Sequence, residues 1–143
     1  MRTRLRLRND SADLVRLTEF ATEFGRRHEL PDEERSRLLI ILDELFTNVI
    51  KYGYEDATAT GQIEVALGLE AGRLMIEFVD DGRPFNPLTS AAPDLDLPVE
   101  ERPIGGVGIA IVRALVDEVA YSRDGNCNRL TLGRNVLRPP PVG

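Results

Sequence analysis

Residues 43–52 have the sequence DELFTNVIKY and lie in the longest helical pattern of the chain. That pattern begins at Pro31, where a proline followed by three acidic residues is typical of a helix N-terminus, and it continues to about Tyr52. Apolar residues recur in it every three or four positions and predict a wide buried face. They are Leu38, Ile41, Leu42, Leu45, Phe46, Val49 and Ile50.

The polar residues of this segment form a second stripe, made of Glu44, Thr47, Asn48 and Lys51, which we expect opposite the apolar face. A carboxylate, an amide and an ammonium in this order can take a hydroxyl proton, ligate a hard cation and contact a phosphate. Considered alone, the stripe is more typical of a solvated helix face with an i,i+4 ion pair. Asn48 favours the functional interpretation slightly, because asparagine is a poor residue in the middle of a helix.

The sequence on either side of this helix predicts the remaining elements. Alternating arginine and leucine predict a strand at 3–8, and a helix that Asn9, Asp10 and Ser11 can cap follows to about His28. Further strands are predicted at 62–70, 73–79, 118–123 and 129–136, and a helix at 109–116. This order predicts an α+β fold, a two-layer sandwich with a mixed, mostly antiparallel sheet and helices on one face.

Two segments lack such patterns. Residues 83–103 hold five prolines and scattered acids, so neither helix nor strand is expected there, and so long a loop in a small domain is usually functional or mobile. Residues 138–143 contain three consecutive prolines, which lack the N–H donors of a sheet, and are predicted to form an extended tail. One domain over residues 1–137 accounts for the rest of the chain.

Composition excludes several classes of protein. The 18 basic and 24 acidic residues give a net charge of −6, which argues against direct nucleic-acid binding. Cys127 is the one cysteine, so an intrachain disulfide and a cysteine-rich zinc site are excluded, and the one histidine, His28, fits a solvated helix end. No apolar run of membrane-spanning length occurs, and the basic N-terminus lacks the apolar core of a signal peptide. We therefore expect no membrane association and a cytoplasmic protein.

Two more clusters have side chains or backbone suited to chemistry. Asp80-Asp81-Gly82 ends an apolar strand, where a carboxylate can accept a hydrogen bond from an exocyclic amine and the glycine lets a flat ring approach; a plain turn is the alternative. The run Gly105-Gly106-Val107-Gly108 precedes a helix and can present N–H groups to an anion, with tight loop packing as the alternative. The run lacks the Gly-Lys-Ser/Thr of a Walker A loop and the β-α-β context of a Rossmann fingerprint.

Taken together and in this order, the three clusters resemble those of the GHKL superfamily of ATPases, and within it the anti-sigma-factor serine/threonine kinases. The likeness rests on the residues at 43–48 and 52–55, at 80–87 and at 105–109, and it extends to 115–119, 125–126 and 130–132. One departure is Tyr52, where the family often has histidine. Lys51-Tyr52 instead resembles the corresponding pair of histidine kinases.

The resemblance implies a GHKL ATPase (Bergerat-type) fold and a role for each matching residue. Asn48 is implied to ligate the Mg²⁺ that bridges the ATP phosphates, Glu44 to be the general base, and Lys51 to lie close to phosphate as in histidine kinases. Asp80 is implied to bond the adenine amine, while Gly82 leaves room for the ring. Residues from about 85 to 105 are implied to form the ATP lid. The other implied nucleotide-binding positions are Phe85, Gly105, Gly106, Val107, Gly108 and Ile109.

The resemblance also implies an activity and partners. It indicates an ATP-dependent serine/threonine kinase that phosphorylates a STAS-type anti-anti-sigma protein and sequesters a sigma factor, and it favours a homodimer for which the free edge of the first strand could serve. A non-catalytic module that binds ATP and only sequesters a partner is one alternative, against which Glu44 argues because a pure binder needs no base. An isolated histidine-kinase catalytic domain is the other, which Lys51-Tyr52 supports.

Overall fold

The computed structural model describes residues 2–54, 61–90 and 106–136. Its strands are β1 (Thr3–Arg8), β2 (Gln62–Glu70), β3 (Arg73–Asp80), β4 (Glu118–Asp124) and β5 (Cys127–Asn135). They form one sheet in the order β1-β2-β3-β5-β4, and the four pairings between these described strands are all antiparallel. β1 and β4 are therefore the edges of the sheet, and the end of β3 lies near its middle.

The helices within the described residues are α1 (Leu14–Arg27), α2 (Asp32–Tyr52), α3 (Pro87–Ser90) and α4 (Gly106–Leu115). A short 3₁₀ turn at Ser11–Asp13 leads into α1, and the Asp10 side chain caps it by accepting from the Ala12 N–H at 2.9 Å. Asp10 thus supplies the capping oxygen that the sequence predicts near this point.

One face of the sheet packs against the helices. Alternate residues of β2 and β3, such as Val65 and Ile76, are buried in one cluster with Leu17 of α1, Ile41 of α2 and Val112 of α4. The other face carries charged pairs between neighbouring strands, among them Arg4 with Glu64 and Arg129 with Glu77. The chain thus forms the two-layer sandwich that the sequence predicts, with its helices on one face.

The predicted bounds of β1, α2 and β2 agree with the structure within one residue, and three predictions need correction. The segment 83–103 was expected to hold no helix, yet Pro87–Ser90 form α3, since a proline is tolerated in the first turn of a helix. The helix predicted to begin at Ile109 begins at Gly106, and the strand predicted to begin at Arg129 begins at Cys127. The glycines at the start of α4 and the asparagines on either side of Cys127 are more common in turns, so the sequence predicts both starts too late.

Two further predictions lie outside the described residues. They are the extended tail, together with Leu137, and most of the implied lid, from residue 91 to Gly105. Within the ranges that are described, no helix has both the length and the apolar character required to cross a membrane.

Candidate functional site

The candidate site is a pocket between α2, the end of β3 and the start of α4. Apolar side chains such as Val49, Phe78 and Ile109 line it, together with the polar residues Asn48 and Asp80. The pocket exists because α2 packs on α4 while β3 ends beneath them. Residues from the helix cluster and the strand-end cluster therefore lie in one place, beside the glycine-rich start of α4.

Asp80 is the buried acid of the pocket and is 6% exposed. Burial raises the pKa of its carboxyl group above the ordinary value, although the hydrogen bonds from Asn128 and Gly82 act in the opposite direction. Its Oδ1 accepts from the Gly82 N–H and from Asn128 Nδ2, both at 3.0 Å. Among the described residues none donates to Oδ2, so this oxygen is the one that can accept a hydrogen bond from a ligand.

Gly82 lets the end of α2 approach the end of β3. A Cβ at this position would overlap the Gly53 carbonyl, which follows directly after α2. The same contact is held by the Arg83 N–H, which donates to the Gly53 carbonyl at 2.8 Å, and by Arg83 Nε, which donates to the Tyr52 carbonyl at 2.7 Å. Room for a ligand ring at Gly82 stays a prediction, and the packing role is an additional reason for glycine.

Asn48 lies on the inward side of α2, which corrects the prediction that the whole polar stripe faces away from the apolar side. It is 7% exposed, and it follows Ile41 and Leu45 along one line of the helix. Its amide nitrogen is buried with no hydrogen-bond partner among the described residues. Because an unpaired buried amide costs free energy, this group is poised for a ligand in the pocket.

Glu44 lies against the first turn of α4. A Cβ at Gly108 would overlap Glu44 Oε2, so the absence of a side chain there leaves the space that the carboxylate fills. Gly106, Val107 and Gly108 belong to the helix itself rather than to a preceding loop, and their backbone is where a helix has N–H groups without partners. Gly105 lies outside the described residues.

The other predicted site residues differ in position. Ile109 is buried at 2% exposure and lines the pocket. Lys51 is exposed on the last turn of α2 and does not line the pocket. Phe85 lines it, and its ring stacks on Tyr52 with 5.5 Å between centroids and 23° between planes. Tyr52, which departs from the family pattern, therefore packs against a residue that lines the pocket.

Sequence reasoning missed Asn128. This residue of β5 is 5% exposed and pairs in register with Asp80, which brings the two side chains together. A signal was present in the sequence, because Asn128 is on the same alternation as the buried Leu130 and Leu132 and is thus a polar residue at an inward position.

The donor set fits a nucleotide and a hard cation. The Asn48 amide can give its oxygen to a metal and its unpaired Nδ2 to a phosphate oxygen, the open Oδ2 of Asp80 can accept from an amine, and the start of α4 can donate to an anion. In the described ranges there is no group of three or more His, Cys, Asp or Glu side chains that could hold a metal ion. A cation here would thus need ligands from a bound phosphate besides Asn48.

Comparison with known proteins assigns the class. The family model for the histidine kinase-like ATPase domain matches residues 7–134, and the chain belongs to that family. Among curated proteins it is similar to the serine-protein kinase RsbW of Bacillus mycoides strain KBAB4, with 28% identity over 96 residues, which is 64% of this chain and 59% of that protein. RsbW of Bacillus cereus strain B4264 is 32% identical over 89 residues, covering 59% of this chain and 54% of that protein. The matches thus span little more than half the length of these relatives.

Solved structures share the fold. The RsbU and RsbW domains of Rv1364c from Mycobacterium tuberculosis match 97% of this chain and 33% of that one, with a TM-score of 0.69 and 17% identity. A histidine kinase domain from the Erythrobacter litoralis EL346 blue-light activated histidine kinase matches 87% of this chain and 60% of that one, with a TM-score of 0.53 and 20% identity. These likenesses confirm the predicted α+β sandwich of the GHKL type.

Proposed function

We propose that this protein is an ATP-dependent serine/threonine-protein kinase that also acts as an anti-sigma factor. The observation that carries the proposal is the position of Glu44, whose carboxylate lies against Gly108 at the start of α4. Asn48, one turn further along α2, faces the pocket that holds Asp80. In this proposal Glu44 is the base, Asn48 the cation ligand and Asp80 the acceptor for a nucleobase, and the similarity to RsbW kinases supports the same activity.

ATP is the proposed nucleotide. Asp80 Oδ2 accepts a hydrogen bond from the adenine amine, apolar residues such as Phe85 and Ile109 flank the base, and the backbone of Gly106 and Gly108 donates to the phosphates. Asn48 is the residue that would hold Mg²⁺, which supplies neutralisation of phosphate charge when it is bound. Lys51, in the last turn of α2, is proposed to lie close to the phosphates, as the likeness to histidine kinases implies.

The proposed reaction is transfer of the γ-phosphoryl group to a serine or threonine hydroxyl. A bond forms between the hydroxyl oxygen and the γ-phosphorus while the bond from this phosphorus to the β–γ bridging oxygen breaks, and ADP leaves. Glu44 takes the proton of the hydroxyl. Such transfers depend mainly on positioning and charge neutralisation, so a small site of this kind suffices.

The proposed partners follow from the same similarity. The substrate is a STAS-type anti-anti-sigma protein, and a sigma factor is the protein that the kinase sequesters. A homodimer, a cytoplasmic location and the absence of nucleic-acid and membrane binding belong to the same proposal.

The decisive experiment compares Glu44→Gln with Asp43→Asn. Each variant neutralises one carboxylate on α2, but Asp43 is exposed, whereas the Glu44 carboxylate lies against Gly108 at the start of α4. Each protein is incubated with γ-labelled ATP, Mg²⁺ and purified STAS-domain proteins, and the phosphorylated residue is identified by mass spectrometry. We expect Glu44→Gln to lower the rate by a factor on the order of 10²–10⁴, the usual contribution of a general base, with ATP affinity nearly unchanged. Asp43→Asn should retain the parental rate.

Two outcomes would contradict the proposal in different ways. A Glu44→Gln protein that phosphorylates at the parental rate would show that Glu44 is not the general base. A parent that binds ATP and a sigma factor but phosphorylates no STAS protein would instead identify a sequestering module without kinase activity.

A further inference from the structure

Asn128 has every hydrogen-bonding position of its amide filled by protein. Its Oδ1 accepts from the Phe85 N–H at 3.2 Å and from the Tyr121 hydroxyl. Its Nδ2 donates to Asp80 Oδ1 at 3.0 Å and to the Arg83 carbonyl at 2.8 Å. At 5% exposure it has no capacity left for a ligand, so any role it has in the site acts through another residue.

The orientation of this amide is fixed by its partners. A backbone N–H can only donate and a backbone carbonyl can only accept, so exchanging Oδ1 and Nδ2 would break the bonds to Phe85 and Arg83 together. The nitrogen therefore faces Asp80. Asp80 Oδ1 receives this N–H and the one from Gly82, which leaves Oδ2 without a donor among the described residues.

We infer that Asn128 is a positioning residue that holds the Asp80 side chain by its Oδ1, so that Oδ2 is the oxygen left for a purine. With Oδ1 taken by two donors, the Asp80 carboxylate presents Oδ2, an acceptor, to the purine. That acceptor selects a 6-aminopurine over a 6-oxopurine, whose oxygen at the same place would face the carboxylate oxygen. The inference rests on the proposed function only in taking the ligand to be a purine nucleotide.

A substitution at residue 80 makes this inference testable. In Asp80→Asn the two donors still require an oxygen at the place of Oδ1, so the new NH₂ group must take the place of Oδ2. The pocket then presents a donor instead of an acceptor. The variant should therefore prefer a 6-oxopurine, and its overall shape is unchanged because aspartate and asparagine have the same size.

Exchanging the side chains of residues 80 and 128 should restore the preference for a 6-aminopurine. In Asp80→Asn combined with Asn128→Asp, residue 128 keeps accepting from Phe85 and Tyr121, but its other oxygen now faces residue 80. The amide at residue 80 turns its NH₂ group toward this carboxylate, since hydrogen bonds to charged groups are stronger than those between neutral groups. Its carbonyl oxygen returns to the pocket, while the Gly82 N–H loses its acceptor and the Arg83 carbonyl loses the donor that Asn128 gave it.

The experiment measures the affinities of ATP and ITP, which differ only in the 6-position group and the proton at N1, by calorimetry with Mg²⁺ present. We expect the parent to prefer ATP by on the order of 10- to 100-fold, as one charge-assisted hydrogen bond allows, Asp80→Asn to prefer ITP, and the exchanged double variant to prefer ATP again. Tyr121→Phe is the control, because it removes one bond to Asn128 and leaves the two backbone bonds that orient it. Its ATP-to-ITP ratio should stay within about threefold of the parent's.

Three outcomes would overturn the inference. They are a parent that binds ATP and ITP equally, an Asp80→Asn protein that still prefers ATP, and a folded double variant that keeps the preference of Asp80→Asn. If the double variant does not fold, the preference of Asp80→Asn alone decides. A parent that binds neither nucleotide would instead contradict the proposed ATP site.

Discussion

Because Gly108 has no side chain, the carboxylate of Glu44, the proposed base, can lie against the first turn of α4. A Cβ at this position would overlap Glu44 Oε2, so the carboxylate would have to leave the first turn of α4. The carboxylate is the end of a flexible side chain and can move at little cost in stability. The effect of a larger residue should thus fall on the position of the proposed base and not on folding.

We therefore expect Gly108→Ala to lower kcat for phosphorylation strongly, by up to on the order of 10²-fold, the effect that a displacement of about 1 Å can have. The free energy of unfolding should stay constant or rise by up to about 1 kcal/mol, because alanine is favoured over glycine in helices. Steady-state kinetics and chemical denaturation measure the two quantities. In a Glu44→Gln background the same substitution should cause no further loss, and an equal loss in both backgrounds would contradict the coupling.

The residues of the candidate site differ in how far the sequence predicts them. The sequence singles out Glu44, Asn48 and Asp80 as candidates because their chemical type and their spacing on a helix or strand end are local properties. Asn128 was not found, because its role depends on the register of β3 against β5 and its partner Asp80 is 48 residues away. The packing of Gly82 on the end of α2 is likewise a tertiary contact, which no local pattern contains.

At the scale of elements, one buried ion pair joins α2, β5 and α4. Glu34, in the first turn of α2 and 6% exposed, accepts from Arg134 Nε at 2.8 Å and from a second nitrogen of this guanidinium at 3.0 Å. Arg134 also donates to the carbonyl of Leu115, the last residue of α4. The pair thus fixes the start of α2 and the end of α4 against the sheet. The candidate site residues lie toward the opposite ends of these two helices.

We expect Glu34→Ala to lower the free energy of unfolding by about 3 kcal/mol, because it leaves the Arg134 charge buried without its partner. Glu33→Ala is the matched control, since the Glu33 side chain is 86% exposed in its pair with Arg37, and it should change stability by no more than about 0.5 kcal/mol. Denaturant unfolding monitored by circular dichroism measures both. Equal changes in the free energy of unfolding would show that the buried pair contributes no more to stability than the exposed one.

The same pair predicts a pH dependence. Hydrogen bonds from Arg134 hold the pKa of Glu34 below its ordinary value, so the folded state binds this proton more weakly than the unfolded chain. The stabilisation is therefore fully present above the ordinary glutamate pKa and is lost as the pH falls through the lowered one. The stability difference between parent and Glu34→Ala should accordingly narrow in acid.

Element boundaries were predicted well where apolar periodicity continues to the end of an element, as in α2 and β2. They were wrong where the terminal residues are of types found in turns. Gly106 and Gly108 lie inside α4, and Asn128 lies inside β5, because packing against neighbouring elements outweighs the weak preference of these residues for irregular backbone. α3 was missed because four residues show no periodicity.

At the scale of the whole molecule, the backbone of β1 determines which N–H groups point to the free edge of the sheet. The Asn9 N–H donates to the Gly61 carbonyl just before β2, whereas the Arg8 N–H donates to Asp13, away from β2. Because successive backbone N–H groups of a strand point to opposite sides, the N–H of Arg6 also points away from β2. This group is therefore available to pair with a second copy of β1, which is the edge contact that the proposed homodimer would use.

We expect Arg6→Pro to convert a β1-paired dimer into a monomer while leaving the fold intact. Proline removes the N–H that faces the edge but takes no donor from the β1–β2 ladder, and proline is tolerated in this way on edge strands. Arg6→Ala is the control, because it removes the exposed ion pair with Glu64 and keeps the N–H, so it should remain dimeric. Light scattering after size-exclusion chromatography measures the mass, and thermal unfolding checks the fold. A parent that is monomeric at the highest concentration tested would refute the homodimer, and an Arg6→Pro protein that stays dimeric would place the interface elsewhere than the β1 edge.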